Sequence, residues 1–397
     1  YLALSAQNTQ ATNYNTAVGY EAGKSVTTGV QNTLIGGLAG DAITDADFNT
    51  AVGYQALTTN QLGSKNVAVG FNSLSGMNPD SAANTFNTAV GHAAGEVITT
   101  GTQNTLIGGL AGDAMTTPNN NVAVGFQSLS NETTGQSNVG VGYNALATQN
   151  RTDSTSQFNV GVGASAGAQI TSGTENTIVG GLAGDALTTG SDNVAIGKSA
   201  LSADTAGFDS VAVGRKTLEN QNQTSALSAY NVAVGAGAGG NVTTGVRNAI
   251  VGALAGDALQ DADFNAVLGF NALTTDTLGS KSTAIGTEAL HTQNFTTATD
   301  SFNTAVGYNA GYSVTTAIED TLIGALAGDA LITGKENVAV GYRSLSADTH
   351  GKRSVAIGKD ALRVQNHTTA TETYNVAVGH AAGEEVTTGT SNTIIGG

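Results

Sequence analysis

Apolar and polar residues alternate along this chain in short bursts that return at fixed spacing. Each burst opens on Asn, continues with Thr or Val, a small residue and an aliphatic residue, and ends on Gly, as in Asn15-Thr16-Ala17-Val18-Gly19 and Asn66-Val67-Ala68-Val69-Gly70. The second and fourth positions share one face of an extended segment, and β-branched residues favour a strand there. The fourth position is Val or Ile throughout, with Leu268 the only exception, and Gly follows it every time from Gly19 to Gly396. This pattern predicts a strand of four or five residues that ends where Gly takes a positive φ at no steric cost. A second short segment follows, with Ala or Ser three residues after the Gly (Ala22, Ala39, Ala56, Ser73), and a Thr-, Asn- and Gly-rich turn closes the coil. A helix does not fit, because the apolar spacing is two rather than 3.6. Collagen does not fit, because Gly is not at every third place. A disordered chain has no need to fill the aliphatic position in every burst.

The coils have a higher order. Three successive coils hold 17 residues each (Asn15–Gln31, Asn32–Phe48, Asn49–Lys65), and the fourth, Asn66–Phe86, holds 21. The order then restarts, so the period is 72 residues. Five complete repeats span 15–86, 87–158, 159–230, 231–302 and 303–374, flanked by partial ones at 1–14 and 375–397. The opening Asn is replaced only at Ser210, Ser282, Asp320 and Ser354. The register predicts an all-β parallel β-solenoid, one elongated shaft over 1–397 in which each coil bonds to those above and below. Identical Asn residues one coil apart can form a side-chain ladder. Both ends fall inside a coil, so a longer polypeptide is expected.

Two positions bear on assembly. The third position is usually Ala or Gly (Ala17, Ala51, Ala68, Gly140, Gly161), which would let a neighbouring backbone approach closely. The second coil of each repeat breaks this rule with Leu34, Leu106, Ile178, Ile250 and Leu322. These larger residues are either an anchor between chains or a filler of the coil's own core. An aromatic residue closes each repeat, at Tyr14, Phe86, Phe158, Tyr230, Phe302 and Tyr374. It is expected to plug the space under the 21-residue coil or a contact between chains.

Composition adds constraints. Gly accounts for 54 of 397 residues and aromatics for 5%, so each coil has a thin core and stability must come from stacking. The chain has no Cys, and a stacked ladder needs no disulfides, so this does not assign a redox compartment. The net charge is −16, and the basic residues form no stripe, which argues against nucleic acid as a partner. No apolar run reaches the length of a membrane span.

Candidate chemistry is sparse, and no catalytic, cofactor-binding or metal residue is expected. Asp41, Asp113, Asp185, Asp257 and Asp329 recur in Ala-Gly-Asp-Ala. Three chains could bring such Asp residues into a cation-holding ring, but a turn-stabilising role is the simpler reading. Asp45 with Asp47, and Asp261 with Asp263, superficially suggest a glycosidase pair, yet the equivalent coils at Thr117 and Thr189 lack it. His92, His291, His350, His367 and His380 lack metal-ligand spacing. Gly235-Ala236-Gly237-Ala238-Gly239-Gly240 imitates a phosphate loop, but no helix follows it. Tyr20, Tyr54, Phe71, Phe126, Tyr143, Phe270, Tyr308 and Tyr342 occupy the variable site after the Gly and could stack on sugars or pack between coils or chains. Thr27-Thr28, Thr99-Thr100 and Thr243-Thr244 suggest an ice-binding surface, but the pairs skip coils.

The words Asn303-Thr304-Ala305-Val306-Gly307-Tyr308-Asn309-Ala310-Gly311 and Asn193-Val194-Ala195-Ile196-Gly197-Lys198-Ser199-Ala200-Leu201 resemble two related groups of repeats. One is the head of trimeric autotransporter adhesins, and the other is the repeat of many phage tail fibres, to which the wording here is closer. The resemblance covers essentially the whole chain and implies a left-handed β-roll, a homotrimer, and an extracellular, cell-surface or virion location. It implies a structural, non-enzymatic fibre shaft that positions a host- or surface-binding tip, with glycans or host surface contacted outside this stretch. A bacterial adhesin or self-assembling filament is the alternative; a solenoid depolymerase or ice-binding protein ranks below both. The strict 72-residue order and the 21-residue coil depart from both groups.

Overall fold

Each burst of alternation forms a strand, three residues long rather than four or five: Thr16–Val18, Thr33–Ile35, Thr50–Val52 and onward to Thr393–Ile395. The computed structural model describes residues 2–8 and 12–397. Two compact units, Tyr1–Asn193 and Val194–Gly397, divide the chain. Within each unit every strand pairs in parallel with the next, like residue opposite like. Thr16 faces Thr33 and Val18 faces Ile35 in the first unit. Val232 faces Ala249 and Val234 faces Val251 in the second. Each unit is thus a parallel β-solenoid, and the described residues hold 22 three-residue strands of this kind and no helix. The longer fourth coil uses its extra residues for a second small parallel pair, as between Gly63–Ser64 and Ala83–Asn84.

The strand ends where the sequence places its Gly. Gly19 has φ +133, and a Cβ built there would lie 2.5 Å from the carbonyl oxygen of Gly36 in the next coil. The invariant glycines therefore stack as a column in which both the dihedral and the space exclude a side chain. Non-Gly residues also take left-handed conformations, at a cost that the surrounding ladder must offset. They recur before the opening Asn (Gln31 φ 56, Phe48 φ 57) and two residues after the Gly (Glu21 φ 54, Gln55 φ 57).

The faces of the strand are the reverse of what the small third position suggested. That position points inward: Ala51, Ala68, Ala89 and Ala123 are fully buried, against the equally buried Ala22, Ala39 and Ala56 of the second segment. The interior is thin, so where both segments contribute to one layer small residues predominate. The β-branched second and fourth positions turn outward. Val18 is 59% exposed and Ile323 39%.

Leu34, Leu106, Ile178, Ile250 and Leu322 are fully buried, so they fill the coil's own core. Room for Leu34 comes from Gly23 and Gly40, where a Cβ would lie 2.6 and 2.8 Å from its methyl groups. In the third and fourth coils the Gly40-equivalent positions hold Leu57 and Leu74, both buried and left-handed. A large side chain thus enters the layer from one segment or the other. The closing aromatics do not plug the long coil. Tyr14 is 73% exposed and Phe86 50%. Phe86, Phe302 and Tyr374 instead lie beside the cations Lys65, Lys281 and Arg353 of the preceding coil.

The opening Asn closes the coil and joins it to the next. Asn32 Nδ2 donates to Ala46 O 14 residues on at 2.8 Å. Its backbone N–H donates to Asn15 Oδ1 at 2.8 Å, and its Oδ1 accepts the N–H of Asn49 at 2.9 Å. Ladders of this kind leave no buried amide atom idle, which is why Asn recurs. A second polar column replaces apolar core in the third and fourth coils. The buried Asp204 accepts from Gln221 Nε2 at 2.7 Å and from the N–H groups of Gly207 and Gln223 at 3.0 Å each. Gln221 Oε1 in turn accepts from Asn231 at 2.8 Å. Burial raises the Asp204 and Asp276 carboxyls above the usual range, against these hydrogen bonds.

Candidate functional site

Most candidate residues serve the stack itself. Asp47 Oδ1 accepts the N–H of Val30 at 2.7 Å while Asp45 accepts the hydroxyl of Thr28. The second pair repeats this, with Val246 N–H on Asp263 at 2.7 Å and Thr244 on Asp261 at 2.6 Å. These carboxylates brace the preceding coil. In the Ala-Gly-Asp-Ala set, Asp41 accepts from Thr58 at 2.5 Å and Asp257 from Thr274. Asp113, Asp185 and Asp329 each keep one buried oxygen without a partner. Burial raises all three carboxyls, Asp329 to about 6. Among the described residues no three His, Asp or Glu side chains gather as metal ligands.

The five His residues go to different surroundings. His92 stacks on Phe71 with centroids 5.2 Å apart, and His291 stacks on Tyr312 at 4.8 Å. His350 Nδ1 lies 2.9 Å from Thr349 Oγ1. His367 is buried with Nδ1 3.6 Å from Asp348 Oδ2, a pairing that becomes visible in sequence only once the coil length is known. His380 is exposed. Thr27 hydroxyl donates to Thr44 O at 3.1 Å, so this Thr row is partly spent on the turn.

What remains at the surface is a set of rows. The aromatic site after the Gly is exposed at Tyr20, Tyr54, Phe71, Phe126, Tyr143, Phe270, Tyr308 and Tyr342. Where such residues fall in adjacent coils they stack: Tyr54 on Phe71 at 5.8 Å, and Phe126 on Tyr143 at 6.0 Å. Beside them run the outward Val and Ile of the strands, including Val18, Ile35 and Ile107 in the first unit and Val234, Val251, Leu268 and Ile323 in the second. Sequence reasoning missed this apolar strip because it assigned the small face to the outside. The glycine run at 235–240 forms the floor of an open notch of about 360 Å³. No family model matches the chain, and no curated protein matches it.

Proposed function

We propose that the chain is the structural shaft of an extracellular, cell-surface or virion fibre, of tail-fibre type, that assembles as a homotrimer and positions a surface- or host-binding tip. The observation that carries this reading is the outward strip of Val, Ile and Leu in each unit, repeated in every coil and rimmed by exposed aromatics. The row is exposed at Val18, Ile35, Ile107, Val251 and Ile323 and half-buried at others such as Val124 and Val141, and an outward apolar row of this kind marks a contact surface rather than a bare solvent face. The resemblance implies three chains around one axis, which favours three copies. The shaft role is supported by coil register, with carboxylate pairs held in hydrogen bonds to neighbouring coils. A bacterial surface adhesin is the second reading, favoured by the same wording of the repeats.

Native mass spectrometry and sedimentation test the assembly. The full chain is expected as a trimer. Replacing Val124, Val141 and Val162 together with Asp should release folded monomers, because these positions face outward in the first unit. A folded wild-type monomer at micromolar concentration would sink the assembly reading.

A further inference from the structure

The chain carries 14 Lys and Arg residues against 30 Asp and Glu, so partners for cations are plentiful. Lys24, Arg151, Lys216, Lys281, Lys335, Arg343, Lys352, Arg353, Lys359 and Arg363 all pair with carboxylates. Lys65 and Arg247 lie over aromatic rings. Among the described residues, the two cations with neither kind of partner are Lys198 and Arg215. They are also neighbours. Each follows the invariant Gly of its coil, the coils are successive, and Lys216 N–H donates to Lys198 O at 3.0 Å between them. Like charges on side chains whose backbones lie one strand spacing apart, about 4.8 Å, repel. In so acidic a chain, a cationic pair with no ion pair of its own among the described residues points to an anion supplied from outside.

The next coil supplies room for one. Where other coils place Tyr or Phe, this coil has Ala236, followed by Gly237 and Gly240. The missing side chains leave the notch of about 360 Å³ between Arg215, Lys216 and Glu219 on one wall and Ala253, Leu254 and Asp257 on the other. This is at the small end of ligand-site volumes, on the scale of one ring. The walls are chemically polarised. Arg215 offers a free planar fork that matches a carboxylate. Glu219, which already accepts from Lys216 at 2.9 and 3.1 Å, and Asp257, which accepts from Thr274, would repel an anion but keep lone pairs that accept hydrogen bonds from hydroxyls. Leu254, 43% exposed, gives one wall an apolar patch that suits the C–H face of a sugar ring. A ligand that satisfies all three carries a carboxylate on one edge and hydroxyls on another.

We propose that this notch binds an acidic saccharide, a hexuronate-type ring, with its carboxylate on Arg215, the positive charge of Lys198 one coil outside the notch adding attraction, and its hydroxyls toward Glu219 and Asp257. The site lies on the chain itself and does not require the assembly reading, so failure of one leaves the other standing. The test is calorimetric titration of the full chain with trigalacturonate, maltotriose and sodium sulfate, each at low and high salt. Trigalacturonate should bind saturably and weaken with salt, and maltotriose should bind at least ten-fold more weakly. The Lys198→Ala/Arg215→Ala double variant should lose at least ten-fold in affinity. Ala236→Tyr should abolish binding while the fold is kept, because Tyr20, Tyr54 and Tyr308 occupy the same place in other coils. Unchanged affinity in either variant, or no binding of trigalacturonate, would overturn the site. Sulfate that competes as strongly as trigalacturonate would overturn the saccharide and leave an unselective anion contact.

Discussion

Asp320 occupies an opening position that Asn fills in most coils, and restoring the amide should stabilise the protein in a pH-dependent way. Its backbone N–H donates to Asn303 Oδ1 at 3.0 Å and its Oδ1 accepts from Asn337 N–H at 2.8 Å, so half of the ladder is intact. Elsewhere the second side-chain atom is Nδ2, which donates to a carbonyl 14 residues on, at 2.7 Å from Asn303 to Ala317 and 3.0 Å from Asn337 to Gly351. At Asp320 that atom is Oδ2, fully buried and without a partner. The equivalent carbonyl belongs to Gly334. An ionised carboxylate would oppose it, oxygen to oxygen, whereas a protonated carboxyl can donate to it as the amide does. Burial, reinforced by nearby Glu336 and Glu319, raises the Asp320 carboxyl well above the usual range.

The sign follows from proton linkage. The unfolded Asp titrates near pH 3.9, below the folded group, so between the two values the folded state holds more protons. The contribution of Asp320 to stability is therefore fully present below about pH 3.9 and is lost as pH rises through the folded value, at about 1.4 kcal/mol per pH unit. Asp320→Asn removes that slope and satisfies the buried atom, worth about 1–3 kcal/mol by itself. The variant should be the more stable protein at neutral pH, with a gap that narrows on acidification. A stack of repeats need not unfold in one step, so the readout is hydrogen exchange at the ladder amides of Asp320 and Asn337 from pH 5 to 8, corrected for intrinsic exchange. Equal protection in both proteins at every pH, or weaker protection in the variant, would refute the argument.

Three further outcomes are expected. Gly163→Val should destabilise its unit by about 3 kcal/mol or more, since φ is +133 and a Cβ would lie 2.7 Å from the Gly180 carbonyl, whereas substituting the exposed Ala164 should stay within about 0.5 kcal/mol; denaturant midpoints compare the two. Leu106→Ala should cost about 2–5 kcal/mol in the same assay, because the residue is fully buried and Gly95 and Gly112 beside it cannot refill the space. Gln293→Met should cost about 2–3 kcal/mol by stripping the 2.6 Å bond from buried Asp276, and adding Asp276→Asn should recover part of it in a double-mutant cycle.

That last pair shows how much the sequence could have disclosed. The coil lengths, the strand and the Gly that ends it were all legible, because Gly at a fixed spacing has a conformational meaning by itself. Which face of the strand lies inside was not. Alternation reports that two faces differ, but not which is buried, and the usual preference for large apolar residues inside fails where a thin interior leaves most strands room for only Ala or Gly at the inward position. The deciding signal was compensation between positions. Leu34 and Leu106 occur only where the second segment has Gly40 and Gly112, while coils with Ala at the strand have Leu57, Leu74 or Leu129, or a Gly in the coil just before one of those Leu. Residues that exchange volume share a space, so the third strand position had to be interior. The same holds for the polar column. Asp204, Asp276 and Asp348 stand 17 residues before Gln221, Gln293 and Gln365, whereas the first repeat changes both members at once, to Asn60 and Met77. The notch was legible only in part. Alignment of coils puts Lys198 next to Arg215 and Arg215 next to Ala236, but that neither cation has an ion-pair partner among the described residues is a fact of three-dimensional packing. Once the small face is placed inside, the outward Val and Ile rows follow necessarily, and so does the question of what covers them. A thin solenoid buries little apolar surface within each coil, and the rows that it leaves outside are the surface still available for burial against another chain.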